Sequence, residues 1–209
     1  MKLPFLKFVQ FVFGPFYRRV LFRMTILGTE NLPEGGAIIC CNHQNAFDPV
    51  TVGAALRLHR FWSMAKEELF HNKIAAFFIR ALGGFPVVRE RGDTKAIVTA
   101  EQLVSAGEYL LIFPEGTRSK TGELGRIKPG ALAIAAACQA PIIPCNLTLP
   151  SVKPKFFRKT AISFGKPLSL NDLFGEDYVP GEKPTKSQYR EGCTRLGNEI
   201  LALKREDLL

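Results

Sequence analysis

Two short polar clusters in the sequence contain residue types that can carry out acid–base and anion chemistry. The first is Asn42-His43-Gln44-Asn45-Ala46-Phe47-Asp48-Pro49. A histidine accepts a proton on one ring nitrogen when a carboxylate bound to the other nitrogen fixes its tautomer. His43 and Asp48 would point about 140° apart on a regular helix, so they can meet only across a turn. Pro49 favours a turn there, because it disfavours helical geometry at Asp48.

The same residues allow a purely structural interpretation. Asp48 followed by Pro49 is typical of a helix N-cap, and His43 would then be an ordinary turn histidine. The two roles are compatible, because a capping carboxylate keeps a second oxygen for the imidazole.

The second cluster is Phe113-Pro114-Glu115-Gly116-Thr117-Arg118-Ser119, directly after an apolar run. Gly116 allows a tight turn and close approach of a ligand, and the guanidinium of Arg118 is suited to phosphate. Glu115 would be a buried acid that needs a partner. The alternative is a surface turn whose charged residues only keep the loop soluble.

Alternating strand and helix patterns predict a single α/β domain with a central, mostly parallel or mixed sheet flanked by helices. Sites in such sheets form where strands end, which is where both clusters lie. The predicted strands are Ala37–Cys41, Phe61–Met64, Phe85–Val88, Tyr109–Phe113, Ile142–Leu147 and Thr160–Phe164. The predicted helices cover Pro49–Leu58, Glu67–Leu82, Thr94–Gly107, Pro129–Gln139 and the C-terminal stretch Tyr189–Leu203.

The N-terminal stretch 1–24 differs in composition from residues 25–209, which we expect to form the α/β domain. Its apolar residues recur at helical spacing and basic residues surround them, which is typical of a helix lying in the membrane interface. It is too short to span a bilayer. The alternative is a core helix. The apolar positions are Phe5, Phe8, Val9, Val12, Phe13 and Phe16, and the basic ones are Lys2, Lys7, Arg18, Arg19 and Arg23.

The chain of 209 residues has 28 Lys and Arg against 19 Asp and Glu, a net charge of +9. This balance favours an anionic partner: nucleic acid, an anionic membrane or a phosphorylated substrate. Nucleic acid is disfavoured because the aromatic residues do not interleave with Lys and Arg along the chain. The five cysteines, two of them adjacent, indicate reduced thiols. They offer no spaced ligand pairs for a metal, so we expect none.

Four sequence blocks, in order, resemble the glycerolipid acyltransferases, specifically the 1-acyl-sn-glycerol-3-phosphate (lysophosphatidic acid) acyltransferases. Asn42-His43-x4-Asp48 resembles the first block and Phe113–Ser119 the third. Gly84-Phe85-Pro86-Val87-Val88-Arg89 is similar to the second, and Ala140-Pro141-Ile142-Ile143-Pro144-Cys145 to the fourth, with Cys145 where the family usually has Val.

The resemblance implies an enzyme without cofactor that moves an acyl group from acyl-CoA or acyl carrier protein to the sn-2 hydroxyl of a lysophospholipid, giving phosphatidic acid. It implies His43 as base, held by Asp48, and a phosphate site that includes Arg89 and Arg118. Glu115, Gly116 and Thr117 would complete that site. Asn42, Lys66 and Lys128 are candidates for supporting roles or for stabilising the oxyanion, although Lys128 also fits a solvated loop.

Alternatives within the family are glycerol 3-phosphate or another lysophospholipid as acceptor. A non-catalytic, basic lipid-binding module is the alternative from another class. We expect peripheral or monotopic attachment to the cytoplasmic face of a membrane with an anionic surface. The stretch Lys153–Lys159 is a candidate contact for lipid headgroups or an acidic carrier protein. The sequence does not indicate an oligomeric state.

Overall fold

A computed structural model describes residues 14–56, 61–87, 94–153 and 157–209, with only the backbone of 94–96. Its strands are β1 (Met24–Leu27), β2 (Ala37–Cys41), β3 (Phe61–Lys66), β4 (Gly84–Val87), β5 (Tyr109–Ile112), β6 (Ile142–Thr148) and β7 (Thr160–Phe164). Its helices are α1 (Asp48–Ala55), α2 (Lys73–Ala81), α3 (Thr94–Ser105), α4 (Gly130–Cys138), α5 (Leu170–Phe174) and α6 (Lys186–Ala202).

The strands form one seven-stranded sheet in the order β1-β7-β6-β2-β5-β3-β4. Every neighbouring pair is parallel except β6 and β7, which run antiparallel. The predicted α/β fold with a mostly parallel, mixed sheet is confirmed.

The apolar runs of β2, β5 and β6 lie at the centre of the sheet because they are covered on both faces. Residues 37, 39 and 41 of β2 face α1, where Val52, Ala55 and Leu56 are buried with them. Residues 38 and 40 face the other side, against α3, α4, α5 and α6. The strand period of two thus places a hydrophobic layer on each face.

Several predicted boundaries were wrong. The helix expected over Glu67–Leu82 is divided into a 3-10 turn at Glu67–Phe70 and α2, because the Asn72 side chain accepts the backbone N–H groups of Ile74 and Ala75 and starts a new helix. The helix expected to begin at Pro49 begins at Asp48 and ends at Ala55. Strand β1 and the five-residue helix α5 were not predicted.

Only the end of the predicted membrane segment is described, since residues 1–13 lie outside the described ranges. Residues 14–16 are α-helical and continue into a π-helical turn at Tyr17–Leu21. This turn docks on α1: the Tyr17 hydroxyl is 3.0 Å from that of Thr51, and Arg18 donates to the Ala54 carbonyl at 3.0 Å. None of the helices in the described ranges is long and apolar enough to cross a membrane.

Candidate active site

The two polar clusters meet because β2 and β5 are neighbouring parallel strands, with Cys40 opposite Ile112 in the register. Their carboxyl ends therefore lie at the same edge of the sheet. The loop 42–47 leaves β2 there, and the loop that begins at Phe113 leaves β5 beside it. This arrangement brings His43, Asp48, Glu115 and Arg118 into one region.

The structure brings His43 and Asp48 together across the turn. His43 Nδ1 lies 2.8 Å from Asp48 Oδ2. The same oxygen accepts the backbone N–H groups of Gln44 at 2.6 Å and Asn45 at 2.8 Å. Because an ionised carboxylate only accepts, Nδ1 carries the proton and Nε2 is left to accept one. The Asp48 side chain is 1% exposed and that of His43 12%.

Asp48 is the first residue of α1, and Phe47 occupies the N-cap position without a side-chain hydrogen bond. The carboxylate therefore folds back over the turn that precedes the helix. Its second oxygen, Oδ1, is buried and has no hydrogen-bond partner within the described ranges. This departs from the alternative in which Asp48 itself would be the N-cap.

Two residues of the second cluster form hydrogen bonds with the main chain of His43. Its N–H donates to Glu115 Oε1 at 2.8 Å, and its carbonyl accepts the Ser119 N–H at 2.7 Å. The imidazole stacks on Phe113, with ring centroids 4.0 Å apart and planes inclined by 20°. The second loop thus fixes both the backbone and the ring plane of His43.

Glu115 is the buried acid of the second cluster, and it is 4% exposed. Its Oε1 accepts the His43 N–H, and its Oε2 accepts the Gly125 N–H at 2.8 Å. A Cβ on Gly125 would lie 2.9 Å from Oε2, so a side chain there would displace the carboxylate. Both oxygens of Glu115 are used to hold backbone, which gives this residue an orienting role.

Asn42 links the first cluster to the neighbouring strand β6. Its amide nitrogen donates to the Leu147 carbonyl at 3.0 Å, and its amide oxygen accepts the Leu147 N–H at 2.7 Å. The side chain thereby extends the β2–β6 pairing beyond the end of β2. Asn42 is buried, and its contacts support the loop that carries His43.

A cavity of about 440 Å³ opens beside the imidazole. Its polar lining comprises His43, Ser63, Lys66, Thr117 and Arg118. The remaining walls are apolar and come from the loop after β2, α1, β3, the 3-10 turn, α2 with its C-cap, and the second loop: Ala46, Pro49, Val50, Met64, Ala65, Leu69, Ile79, Leu82 and Phe113. A ligand with an anionic group and an apolar chain matches this division of the lining.

The other predicted residues lie around this cavity or outside the described ranges. Lys66 Nζ pairs with Glu68 Oε1 at 2.7 Å on an exposed surface. Gly116 has φ of +71°, and a Cβ there would lie 2.8 Å from Lys128 Nζ, so Lys128 crosses directly over Gly116. The Lys128 N–H donates to the Pro114 carbonyl at 2.9 Å. Arg89 lies outside the described residues.

Tyr17 contributes to the surroundings of Asp48 from the N-terminal turn. Burial raises the pKa of Tyr17 to about 12, against the lowering effect of its hydrogen bond to Thr51. The negative charge of Asp48 raises this pKa further. Tyr17 therefore remains a neutral phenol near the Asp48 carboxylate at physiological pH.

Three residues that contact the site were not predicted to have a role in it. Phe113 stacks on the imidazole, the Ser119 N–H binds the His43 carbonyl, and the Gly125 N–H binds Glu115. The latter two act through main-chain N–H groups, which every non-proline residue has, so no side-chain pattern marks them. In the described part of the chain, no three His, Cys, Asp or Glu residues lie close enough to hold a metal ion.

Comparison with known proteins gives one consistent family. The family model described as Acyltransferase matches residues 23–148. The 1-acyl-sn-glycerol-3-phosphate acyltransferase of Bacillus subtilis (strain 168) is 36% identical over 151 residues, which cover 71% of this chain and 75% of that protein. The enzyme of the same name from Streptococcus pneumoniae (strain ATCC BAA-255 / R6) is 30% identical, over 69% of this chain and 55% of its own length.

The fold also matches a solved structure. The crystal structure of the 1-acyl-sn-glycerophosphate (LPA) acyltransferase PlsC from Thermotoga maritima superposes with a TM-score of 0.64. The match covers 96% of this chain and 80% of that one, at 22% sequence identity. At this identity the likeness concerns the fold.

Proposed function

This chain belongs to the acyltransferase family, and on that premise we propose that it transfers a fatty acyl group to the sn-2 hydroxyl of 1-acyl-sn-glycerol 3-phosphate. The donor is an acyl-CoA or acyl-carrier-protein thioester, and the product is phosphatidic acid. The observation that carries the proposal is the His43–Asp48 hydrogen bond of 2.8 Å beside a largely apolar cavity that Arg118 also lines.

In the proposed reaction His43 acts as a general base. Nε2 takes the proton of the acceptor hydroxyl as its oxygen attacks the thioester carbonyl. The carbon–sulfur bond of the resulting tetrahedral species then breaks, and the departing thiolate takes the proton from the imidazolium. Asp48 holds the reactive tautomer and stabilises the transient positive charge on the ring. No covalent acyl-enzyme is needed.

We assign acceptor positioning to the loop after β5. Arg118 and Thr117 line the cavity with His43, so a phosphate held there would place the neighbouring glycerol hydroxyl near the base. Arg89 is the second proposed phosphate ligand, from its match to the family's second block. Glu115 orients His43, and Gly116 leaves room for Lys128, which adds a positive charge beside the loop. Lys66, from the cavity lining, is the proposed oxyanion donor together with backbone amides.

We propose attachment to the cytoplasmic face of a membrane through the N-terminal segment. Support comes from its described end, where Phe16 is 53% and Val20 43% exposed next to Arg18 and Arg19. Phe157, 63% exposed, donates its N–H to the Leu21 carbonyl, so the basic 157–159 stretch lies beside the same turn. Aromatic and basic side chains together are typical of an interfacial surface.

Acyl transfer assays test the proposal. Wild type, His43→Ala and Asp48→Asn would be given labelled acyl-CoA or acyl carrier protein, with lysophosphatidic acid, glycerol 3-phosphate or another lysophospholipid in detergent micelles. We expect phosphatidic acid from wild type and a loss of roughly 10²–10⁴-fold in kcat for both variants. The preferred thioester identifies the donor.

Other outcomes separate the alternatives. Product only from glycerol 3-phosphate or from a different lysophospholipid would reassign the acceptor. Wild type that binds anionic vesicles but transfers nothing from any donor would favour the lipid-binding module. Equal activity in wild type and His43→Ala would exclude His43 as the base.

A further inference from the structure

Helix α2 carries a cluster of large apolar side chains that face solvent. Ile74 is 73% exposed, Phe77 57% and Phe78 59%, and Leu69 on the preceding 3-10 turn is 50% exposed. Residues 74, 77 and 78 are spaced three and four apart and so share one side of the helix. Ala76 on the opposite side of the helix is buried, and so is Ala81 at its C-terminal end. We call Leu69, Ile74, Phe77 and Phe78 the α2 face.

A contiguous cluster of this kind differs from scattered exposed residues, which every protein has. The rings of Phe77 and Phe78 contact each other edge to face, with centroids 5.5 Å apart. Clusters of exposed apolar side chains with a polar rim mark contact sites for proteins or membranes. The α2 face therefore needs a partner that covers it during function.

The charges around the face indicate an anionic partner. Lys73 and Arg80 are both exposed on α2, and the helix contains no acidic residue. The Arg80 guanidinium also lies over the Phe70 ring, 5.1 Å from its centroid. The preceding turn, which carries Leu69, also has Glu67 and Glu68, and Glu68 is paired with Lys66. Within α2 itself the apolar side chains are flanked only by basic ones, and this composition is typical of helices that lie on anionic bilayers.

The α2 face shares one residue with the cavity beside His43. Leu69 belongs to the α2 face and also lines the cavity, and Ile79 of α2 lines it too. A lipid layer in contact with α2 would thus border the opening through which an acceptor reaches the imidazole.

We propose that the α2 face inserts into the surface of an anionic phospholipid leaflet, as a membrane contact separate from the N-terminal segment. It places the cavity opening against the leaflet, so that an acceptor lipid enters from the bilayer without crossing water. The delivery role rests on the proposed function, whereas the membrane contact itself does not.

The binding test uses sedimentation with phosphatidylglycerol vesicles. The variant Phe77→Ser/Phe78→Ser removes two exposed rings, and Ile97→Ser/Val98→Ser on α3, where the side chains are 40% and 43% exposed, is the matched control. We expect vesicle binding to weaken on the order of 100-fold for the α2 variant, since each ring loses the free energy of leaving water. The control should bind like wild type.

A kinetic test separates this proposal from the proposed function. The α2 variant should retain wild-type turnover of a short-chain lysophosphatidic acid that is monomeric in solution, and should lose turnover of long-chain acceptor embedded in vesicles. If wild type transfers no acyl group at all while the α2 variant still loses vesicle binding, the proposed function fails and the membrane contact stands.

A reporter variant locates the contact directly. Trp62 is the only tryptophan in the sequence, so Phe78→Trp adds the fluorescence of one second tryptophan. Val98→Trp is its control. Brominated phosphatidylglycerol should quench the tryptophan at 78 and leave the one at 98 unchanged. Wild-type vesicle binding by Phe77→Ser/Phe78→Ser would overturn the proposal. A lowered melting temperature of that variant without vesicles would also overturn it, because the face would then pack within the protein.

Discussion

At the scale of single residues, the position of His43 depends on the main chain of the second loop as much as on Asp48. Its N–H is held by Glu115 and its carbonyl by the Ser119 N–H. Glu115 in turn holds the Gly125 N–H. A change at Glu115 therefore alters the position of His43 without touching its imidazole.

We expect Glu115→Gln to lower kcat roughly 10- to 100-fold, because glutamine has one acceptor oxygen for two backbone N–H donors and a small shift of His43 is costly. The lost hydrogen bond should also reduce the free energy of unfolding by about 1–3 kcal/mol. Steady-state kinetics and thermal unfolding measure the two effects. Glu123→Gln, an exposed carboxylate of the same loop, is the control. Unchanged kcat in Glu115→Gln would contradict the orienting role.

The sequence allowed the His43–Asp48 turn to be predicted, because Pro49 restricts the backbone of the residue before it. The need for a partner at Glu115 could also be inferred, since a buried carboxylate must be satisfied. The sequence did not identify the partner of Glu115. It consists of two backbone N–H groups, at His43 and Gly125, that are distant along the chain and leave no trace in residue type.

At the scale of elements, α2 owes its start to Asn72, whose side-chain oxygen accepts the N–H groups of Ile74 and Ala75 at 3.0 Å each. This cap fixes the helix that supplies Ile79 to the cavity. We expect Asn72→Ala to reduce the free energy of unfolding by about 1 kcal/mol and to loosen the first turn of α2. Thermal unfolding and amide hydrogen exchange at residues 74–76 measure this.

Asn72→Asp is the matched variant, because aspartate keeps the accepting oxygen and adds a charge that the helix N-terminus favours. It should retain wild-type stability and exchange rates. Equal behaviour of the alanine and aspartate variants would show that the cap does not determine where α2 begins.

Elements with strong patterns could be predicted, and weak ones could not. Strands β2, β5 and β6 are continuous apolar runs, and such runs are typical of buried parallel strands. Strand β1 lies at an edge of the sheet and all four of its residues are half-buried, so it has neither a buried apolar run nor an alternation, and the five residues of α5 span less than two helical turns. The apolar periodicity of 67–82 suggested one helix, because the capping effect of Asn72 depends on geometry that periodicity does not describe.

At the scale of the whole molecule, three of the five cysteines are enclosed by the two hydrophobic layers. Cys40, Cys41 and Cys145 have no exposed surface, and Cys138 and Cys193 are partly exposed. Burial raises the pKa of Cys40 and Cys41 well above the usual value. With a thiol-reactive chromogenic disulfide at about pH 8, we expect rapid reaction of no more than the two partly exposed thiols.

The other three should react only after unfolding in guanidinium, and rapid labelling of all five in the native protein would contradict the enclosed core. The raised pKa has a second effect. The unfolded chain releases the thiol protons of Cys40 and Cys41 above about pH 8.5, whereas the folded chain retains them. The two thiols therefore leave the free energy of unfolding unchanged below that pH. Above it, the free energy of unfolding falls by up to about 1.4 kcal/mol per thiol per pH unit.

The tie between the two loops also sets a limit on engineering. Arg118 lies between Glu115 and Ser119, and both of these residues are bound to the backbone of His43. The separation between the backbone at position 118 and that of His43 is therefore set by these hydrogen bonds and not by the cavity walls. On the proposed role of Arg118 as a phosphate ligand, we expect acceptors with a longer or shorter distance between phosphate and hydroxyl to need more than substitutions in the walls. A loop of different length between positions 115 and 119 would move the backbone that carries the guanidinium.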